Sequence, residues 1–455
     1  MQGILRPVTA LLLATAIVMA GHGLLVMVLP LKATGANFSS IEVGLMGSGY
    51  FLGLVGGCLL TPGIIGRVGH IRAFTAFTAT VTIVPLAHGL VLDSVTWTLL
   101  RILQGLCCAG LWLVIESWLN AASDVTTRGR VLGAYALVQL TMQTAGMQLV
   151  GLLTLDGNVL FIIVAILFSL STLPIALTGA IAPVPPKRNP LRLGWLFKIS
   201  PAATMAAMLT GFATGSFWIL APLYAQNAGL SSAGSAAFVA AALLAGALAQ
   251  WPLGSLSDRA GRRFVISVCA TVAMFASFAL ALYGAAGGLD LIFACSVIFG
   301  AASFPIYTIA LAHANDLVSK KRAIAVSSGL LFVYSIGAAT GPLVASFIVE
   351  RAGFDTLFVT IAVASGLIVV TTMIRVQIRP KIPTRYREDF VLVPRTTPAA
   401  FALDPRTADG PVIGADPPPL AKRTTQAGPE VIERCNEFTA ILSDEALSRD
   451  ELESA

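Results

Sequence analysis

The sequence predicts an all-α polytopic membrane protein, with twelve transmembrane helices in two pseudo-symmetric six-helix bundles. Three observations favour this fold: the composition is poor in charge, apolar runs of spanning length recur, and a basic, proline-rich segment divides those runs into two sets. Of the 455 residues, 56% are hydrophobic and only 11% are charged. About a quarter of the residues in a soluble protein are charged, so most of this surface must face lipid.

Twelve apolar runs are each close to the roughly 20 residues that a helix needs to cross a bilayer. The first run follows Arg6 and is longer than the apolar core of a signal peptide, so we expect a retained first helix. The runs lie at about 8–31, 41–66, 72–92, 96–121, 130–154, 158–181, 200–225, 232–256, 264–286, 288–313, 322–349 and 355–376.

The linker divides the chain into four predicted regions. These are an N-terminal six-helix bundle at 1–182, a cytoplasmic linker at 183–199, a C-terminal six-helix bundle at 200–378 and a cytoplasmic tail at 379–455. The tail is expected to be largely disordered, because it is rich in proline, threonine and charge and poor in aliphatic residues.

The two halves resemble each other weakly at one constant offset. Arg67-Val-Gly69 matches Arg259-Ala-Gly261, and the set Asp124, Arg128 and Arg130 matches Asp316, Lys320 and Arg322. Both matches fall in the same kind of loop, which indicates an internal duplication. Parallel repeats of this kind place a solute path between the halves.

Lysine and arginine concentrate in the loops on one side of the predicted bundle. That side carries Arg6, Arg67, Arg72, Arg128, Arg130, Lys187, Arg188, Arg192, Lys198, Arg259, Arg262, Arg263, Lys320, Lys321, Arg322, Arg375, Arg379 and Lys381. The opposite loops offer Lys32 and Arg351. By the positive-inside rule both termini are cytoplasmic, and we expect a bacterial inner membrane. The net charge of +6 therefore reflects topology, and no nucleic-acid partner is predicted.

Enzymatic and metal-binding functions find no support in the sequence. The six cysteines are scattered without a CxxC pair, and the four histidines lie far apart. Neither a metal site nor a disulfide framework is predicted. A nucleophile elbow and a phosphate loop are also missing, so we expect neither an enzyme nor a bound cofactor.

One loop carries a family resemblance. Gly254-Ser-Leu-Ser-Asp258-Arg259-Ala-Gly261-Arg262-Arg263 is similar to the loop signature of the major facilitator superfamily, G-x-L-x-D-R-x-G-R-R/K. The resemblance implies the fold of that superfamily and a gating loop formed by Gly254, Asp258, Arg259, Gly261, Arg262 and Arg263. The first-half counterpart, from Pro62 to His70, lacks the acidic residue.

Two further segments extend the resemblance over residues 1–378. Arg101-Ile-Leu-Gln104-Gly105 is similar to the R-x-x-Q-G motif of proton-coupled exporters, in which the arginine is linked to proton transfer. The run Trp112-Leu-Val-Ile-Glu116-Ser-Trp118-Leu-Asn120 resembles the YcaD-like branch of the superfamily. The exporter motif G-x-x-x-G-P is missing from the fifth run, so direction of transport does not follow.

Ionisable residues inside a span are expensive, at roughly 2.5–3.5 kcal/mol for a central charge, and they usually face a cavity. Arg101, Gln104, Trp112 and Glu116 fall on one stripe of the fourth span. Glu116 is the candidate for loading and releasing a proton, and the alternative is that it pairs with a loop arginine. His22 could relay protons, or it could be a neutral, packed side chain.

Further polar and aromatic residues are candidates for the wall of a solute cavity. Gln139 and Gln143 share a face of the fifth span, where they could bind solute or bond across helices. In the second half the candidates are Trp218, Tyr307 and Tyr334. The family resemblance places spans one, four, seven and ten along the path, which favours His22, Arg101, Trp218 and Tyr307.

The resulting hypothesis is a monomeric secondary active transporter that moves a small organic solute across the bilayer by alternating access, coupled to protons. Two alternatives stay open. One is a facilitator without ion coupling. The other is a membrane protein that has kept the transporter fold and acts as an assembly or sensory partner through its tail.

Overall fold

The computed structural model describes residues 2–123, 127–152, 157–178, 193–284, 288–318 and 320–378, together with Phe390, Thr396, Thr397, Ala399 and Ala400. This part of the chain forms fourteen α-helices and one 3₁₀ turn, without a β-strand. The prediction of an all-α polytopic membrane fold is confirmed.

Helices of the first half are α1 (Gln2–Gly35), α2 (Ser40–Val68), α3 (His70–Leu90), α4 (Ser94–Ala121), α5 (Arg128–Gln148), α6 (Val159–Leu170) and α7 (Thr172–Ala176), with the 3₁₀ turn Leu149–Gly151 after α5. Those that follow are α8 (Leu193–Ile199), α9 (Pro201–Asn227), α10 (Ser232–Ala260), α11 (Arg262–Tyr283), α12 (Gly288–Asn315), α13 (Lys320–Ala352) and α14 (Thr356–Ile378).

Eleven helical stretches within the described residues are long and apolar enough to cross a membrane, with α6 and α7 forming one of them as Val159–Ala176. Helix α5 is not in this set, because Gln139, Gln143 and Gln148 lower its hydropathy. It still lies directly against α1, since a Cβ at Gly146 would collide with the backbone carbonyl of Ala20. The twelfth span therefore stays a prediction.

Helices α2 and α10 repeat each other in length, start and end. Each has 29 residues. The side chain of Ser39 caps α2 by accepting a hydrogen bond from the Glu42 amide, and Ser231 caps α10 in the same way from the Gly234 amide. Both helices end at a glycine with positive φ, 81° at Gly69 and 108° at Gly261, where a side chain would be strained. The internal similarity thus extends from the loops to the helix caps.

The backbones of α2 and α4 touch at two glycines. A Cβ at Gly53 would collide with the carbonyl of Ile102, and one at Gly105 with the carbonyl of Tyr50. Small residues allow this close approach between membrane helices. The contact brings the Tyr50 ring beside Arg101 on α4.

We define the basic face as the end of the bundle that carries Arg67, Arg128, Arg259, Arg262 and Arg375. At the other end, the opposite face, the two halves are joined. The Ser40 amide donates to Oε2 of Glu350 at 2.7 Å, and a Cβ at Gly44 would meet the Ser346 side chain. A second junction lies between Gly151 and Ala233. Helices α2 and α5 of the first half thus contact α13 and α10 of the second half at this face.

The predicted linker and tail lie mostly outside the described residues. Within 183–199 the structure describes α8, Leu193–Ile199, which lies directly before α9. Of the predicted tail, 379–455, it describes Phe390, Thr396, Thr397, Ala399 and Ala400. The four-region division and the disorder of the tail stay predictions.

Candidate functional site

The carboxylate of Glu116 is fully buried on α4 and is held by neutral hydrogen-bond donors. The Tyr135 hydroxyl on α5 donates to Oε1 of Glu116 at 2.9 Å. In turn, Nε2 of Gln139 donates to the Tyr135 hydroxyl at 2.8 Å. Glu116 forms no ion pair with a described residue. The alternative in which a loop arginine neutralises Glu116 is not what the described side chains show.

Two threonines from beyond α14 also reach this carboxylate. The Thr396 hydroxyl donates to Oε1 of Glu116, and the Thr397 hydroxyl donates to Oε2. Both carboxylate oxygens are therefore engaged, by donors from α5 and from the tail.

A second buried polar group surrounds Arg101, whose exposure is 3%. Its Nη1 donates to Oε1 of Gln104 at 2.8 Å, and its Cζ lies 4.4 Å from the centroid of the Tyr50 ring, a cation–π geometry. The His22 ring lies 5.6 Å from Tyr50 and 6.0 Å from Trp112, between centroids. We call these five residues the arginine cluster.

The arginine cluster has unused hydrogen-bonding capacity. Nε2 of Gln104 and Nδ1 of His22 are buried and have no hydrogen-bond partner among the described residues. Arg101 also has no carboxylate within ion-pair distance in that part of the chain. Buried polar groups are almost always satisfied, and a guanidinium has five N–H donors. The cluster is therefore suited to a ligand that offers hydrogen-bond acceptors.

Glu116 and the arginine cluster are separate places along the same helix. Arg101 and Glu116 are fifteen residues apart, roughly 22 Å at 1.5 Å per residue. Arg101 lies toward the opposite face, where α4 begins at Ser94, and Glu116 lies toward the basic face, where it ends at Ala121. Trp112 stands one helical turn before Glu116 and contacts His22, so it lies between the two.

The candidate wall residues of the second half form aromatic contacts. Tyr307 and Tyr334 are 5.0 Å apart between ring centroids, and the Tyr334 hydroxyl lies 2.8 Å from Oγ1 of Thr214. Trp218 packs against Phe304 at 5.9 Å. In the first half, Gln143 is half-buried, and its backbone carbonyl lies where a Cβ on Gly23 would be, so its position belongs to the contact between α5 and α1.

The predicted gating loop is a short turn between α10 and α11. Arg262 pairs with Asp258, and its Nε lies 3.0 Å from Oδ2 of Asp316 on the segment after α12. Arg263 donates through Nη1 to the carbonyl of Arg375 at 2.7 Å, which adds α14. Arg259 is exposed. The turn thus joins four helices of the second half at the basic face.

The corresponding turn of the first half uses a histidine instead. His70 stands where Arg262 stands in the repeat, and its Nε2 lies 3.0 Å from Oγ of Ser117 on α4. A neutral hydrogen bond therefore replaces an ion pair at this position, in agreement with the missing acid in that loop.

Sequence reasoning did not identify Tyr50, Thr396, Thr397 and Phe390, whose amide donates to Oδ2 of Asp258, as part of these sites. The position of Tyr50 within the glycine-rich face of α2 could have predicted that its ring lies close to α4. For the other three, a proline- and threonine-rich composition gave no indication of a buried contact.

Comparison with known proteins agrees with this architecture. The model of the Major Facilitator Superfamily matches residues 11–328 and 203–407. The protein named Uncharacterized MFS-type transporter YcaD from Salmonella newport (strain SL254) is 28% identical over 364 residues, which is 79% of this chain and 93% of that protein. Its counterpart in Escherichia fergusonii is 28% identical over 363 residues, with the same coverage of both chains.

Solved structures show the same fold. The nucleoside transporter NupG aligns with a TM-score of 0.70 and 16% identity, covering 81% of this chain and 98% of its own. A bacterial homolog to the human lysosomal transporter Spinster, inward-facing and unoccupied, aligns with a TM-score of 0.63 and 16% identity, covering 89% and 97%. The resemblance inferred from the loop motifs is confirmed. The chain is a multi-pass membrane transporter, not an enzyme, and belongs to the Major Facilitator Superfamily.

Proposed function

We propose that the chain is a secondary active transporter that couples movement of a small organic solute to protons, with Glu116 as the proton-carrying group. The observation that carries the proposal is the burial of Glu116 among neutral donors. Burial disfavours the charged carboxylate, whereas the hydroxyl of Tyr135 favours it. Because no described cation fixes the charge, the group is suited to exist with and without a proton.

The solute is proposed to bind at the arginine cluster. Its guanidinium and the unpartnered amide nitrogen of Gln104 can donate to a hydrogen-bond acceptor, and the unpartnered Nδ1 of His22 can donate or accept according to the tautomer. Its aromatic members, Tyr50 and Trp112, supply an apolar wall, and such mixed linings are typical of small-molecule sites.

Alternating access is supported by the junction of the two halves at the opposite face. The contacts between Ser40 and Glu350, and between Gly44 and Ser346, belong to a state that is closed there. We propose that the basic face is cytoplasmic, which puts both termini in the cytoplasm of an inner membrane, and that the transporter acts as a monomer.

The test uses purified full-length protein. A thermal-shift screen of sugars, amino acids and drugs identifies a solute, and flux of that solute is then measured in proteoliposomes with and without a pH gradient. We expect Glu116→Gln to abolish gradient-driven accumulation while solute exchange without a gradient continues, and Glu116→Asp to retain part of the coupling. If Glu116→Gln leaves gradient-driven accumulation unchanged across pH, the coupling role is wrong and the uncoupled facilitator becomes the function.

A further inference from the structure

Beyond α14 the structure describes five residues, and three of them hydrogen-bond to side chains of the helical bundle. We call Phe390, Thr396, Thr397, Ala399 and Ala400 the tail contact. Thr397 and Ala400 have no exposed surface, and Ala399 is 8% exposed. These side chains are therefore covered by protein and not by solvent.

One end of the tail contact is attached to the first half of the bundle. The hydroxyls of Thr396 and Thr397 donate to the two carboxylate oxygens of Glu116. The backbone amide of Ala400 donates to the carbonyl of Thr397 at 3.2 Å, a bond within the tail contact. Glu116 is thus bound by the tail at both oxygens, in the part of α4 that leads to the basic face.

The other end is attached to the second half. The Phe390 amide donates to Oδ2 of Asp258 on α10 at 3.1 Å. Its ring lies against Gly254, one turn earlier, where a Cβ would collide with that ring. The bare backbone at Gly254 therefore makes room for Phe390, and the acid of the gating loop holds its amide.

Helices α4 and α10 belong to different halves of the transporter. Thr396 and Thr397 bind the first at Glu116, and Phe390 binds the second at Asp258 and Gly254, so the tail contact joins the two halves at the basic face. The halves are joined at the opposite face through Ser40 and Glu350. The tail contact therefore lies at the end of the bundle away from this junction.

We infer that the tail contact is an intramolecular plug, which occupies the basic-face opening and takes up the hydrogen-bonding capacity of Glu116. The inhibitory effect rests on the proposed function, whereas the docking itself does not. The plug must leave before Glu116 can exchange a proton with water or a solute can enter from that face. It must also leave before the halves can move relative to each other there, because Phe390 is bound to α10 and Thr397 to α4.

Docking is tested first, without any solute. The double variant Gly254→Cys and Phe390→Cys, in full-length protein with the native cysteines replaced by serine, is oxidised mildly in membranes. We expect a disulfide between positions 254 and 390, found as linked peptides by mass spectrometry, and no such link in the single variants or after reduction. Failure of the double variant to form the link overturns the inference.

Shielding of Glu116 is tested with dicyclohexylcarbodiimide, which modifies carboxyl groups in apolar surroundings. Thr396→Val and Thr397→Val together keep the size of both side chains and remove their hydroxyls. We expect labelling of Glu116 to be about tenfold faster in this variant, equivalent to about 1.4 kcal/mol. The matched control is Thr141→Val, an exposed threonine that bonds its own helix. Equal labelling rates in the double variant and the wild type contradict the plug.

The last measurement separates the plug from the proposed function. We expect the 254–390 disulfide to stop solute flux and a reductant to restore it. One outcome is that the disulfide forms and the threonine variant is labelled faster, while neither the reduced cysteine variant nor the threonine variant transports any solute. In that case the plug stands and the proposed function fails. If flux is robust but the disulfide does not form, the proposed function stands and the plug is wrong.

Discussion

The Tyr135 hydroxyl on α5 lies 2.9 Å from a carboxylate oxygen of Glu116 on α4, and it is at the same time the acceptor for Gln139. The donors point one way, from the amide through the phenol to the carboxylate. These two hydrogen bonds connect α5, whose face carries glutamines, to the one buried acidic residue in the described part of α4.

Tyr135→Phe is expected to destabilise the protein by about 1–3 kcal/mol, because Nε2 of Gln139 loses its acceptor in a buried place. The double variant Tyr135→Phe and Gln139→Leu should recover part of this loss, since no amide is then left unpaired. The measurement is the midpoint of thermal unfolding in detergent. A double variant less stable than Tyr135→Phe alone would contradict this explanation.

Solute flux is expected to require the planar guanidinium of Arg101. Arg101→Ala should abolish solute flux, and Arg101→Lys should lower it by about tenfold or more, because a lysine cannot both lie flat on Tyr50 and bond Gln104. Tyr50→Phe, which keeps the ring face, should behave like the wild type. Tyr50→Leu should lose up to about 2 kcal/mol of cation–π stabilisation.

Initial rates of flux in proteoliposomes check these four variants together. Normal flux in Arg101→Ala, or a Tyr50→Phe variant as poor as Tyr50→Leu, would remove the arginine cluster from the transport route.

Arg262→Ala is expected to cost about 3–5 kcal/mol of folding free energy, because it leaves the buried carboxylate of Asp316 without its guanidinium. The Asp316 side chain is 2% exposed. Arg67→Ala changes an exposed residue in the corresponding turn of the first half and should stay within about 0.5 kcal/mol of the wild type. Denaturation in mixed detergent and urea compares the two, and equal losses would show that the buried pair contributes nothing particular.

A disulfide at the opposite face should trap one state of the transporter. Gly44→Cys and Ser346→Cys, in protein without native cysteines, place two thiols where α2 meets α13. We expect oxidation to stop flux and reduction to restore it, because opening toward that face requires these helices to separate. Unchanged flux in fully cross-linked protein would show that the halves do not part there.

The membrane spans could be predicted from the sequence because membrane helices are recognisable by their length and hydropathy. The predicted fourth run, 96–121, agrees closely with α4, Ser94–Ala121. The bond between Arg101 and Gln104 also follows from local spacing, since residues three apart share a helix face. Helix α5 was harder, because its glutamines dilute the apolar signal and only its contact with α1 shows where it lies.

Contacts between helices could not be read in the same way. Tyr135 meets Glu116 because the packing of the bundle brings their side chains together, and no local sequence pattern encodes that packing. The bond from Thr397 to Glu116 joins positions 281 residues apart. Composition describes such a segment only by its average polarity. Its position in the structure is set by a few contacts, which are the hydroxyls of Thr396 and Thr397 on Glu116 and the ring of Phe390 on Gly254.

The buried charges of α4 have a consequence for how the transporter responds to voltage. In the described helices of the second half, every lysine, arginine, aspartate and glutamate lies within a few residues of a helix end, whereas Arg101 and Glu116 lie deeper. An electric field across the bilayer therefore acts mainly on the first half. Carrying one elementary charge through 100 mV changes the free energy by about 2.3 kcal/mol. When Glu116 is charged, its negative charge and the positive charge of Arg101 sum to zero in the first half. Protonation of Glu116 would leave a net positive charge there, so the membrane potential would act on that half differently before and after protonation.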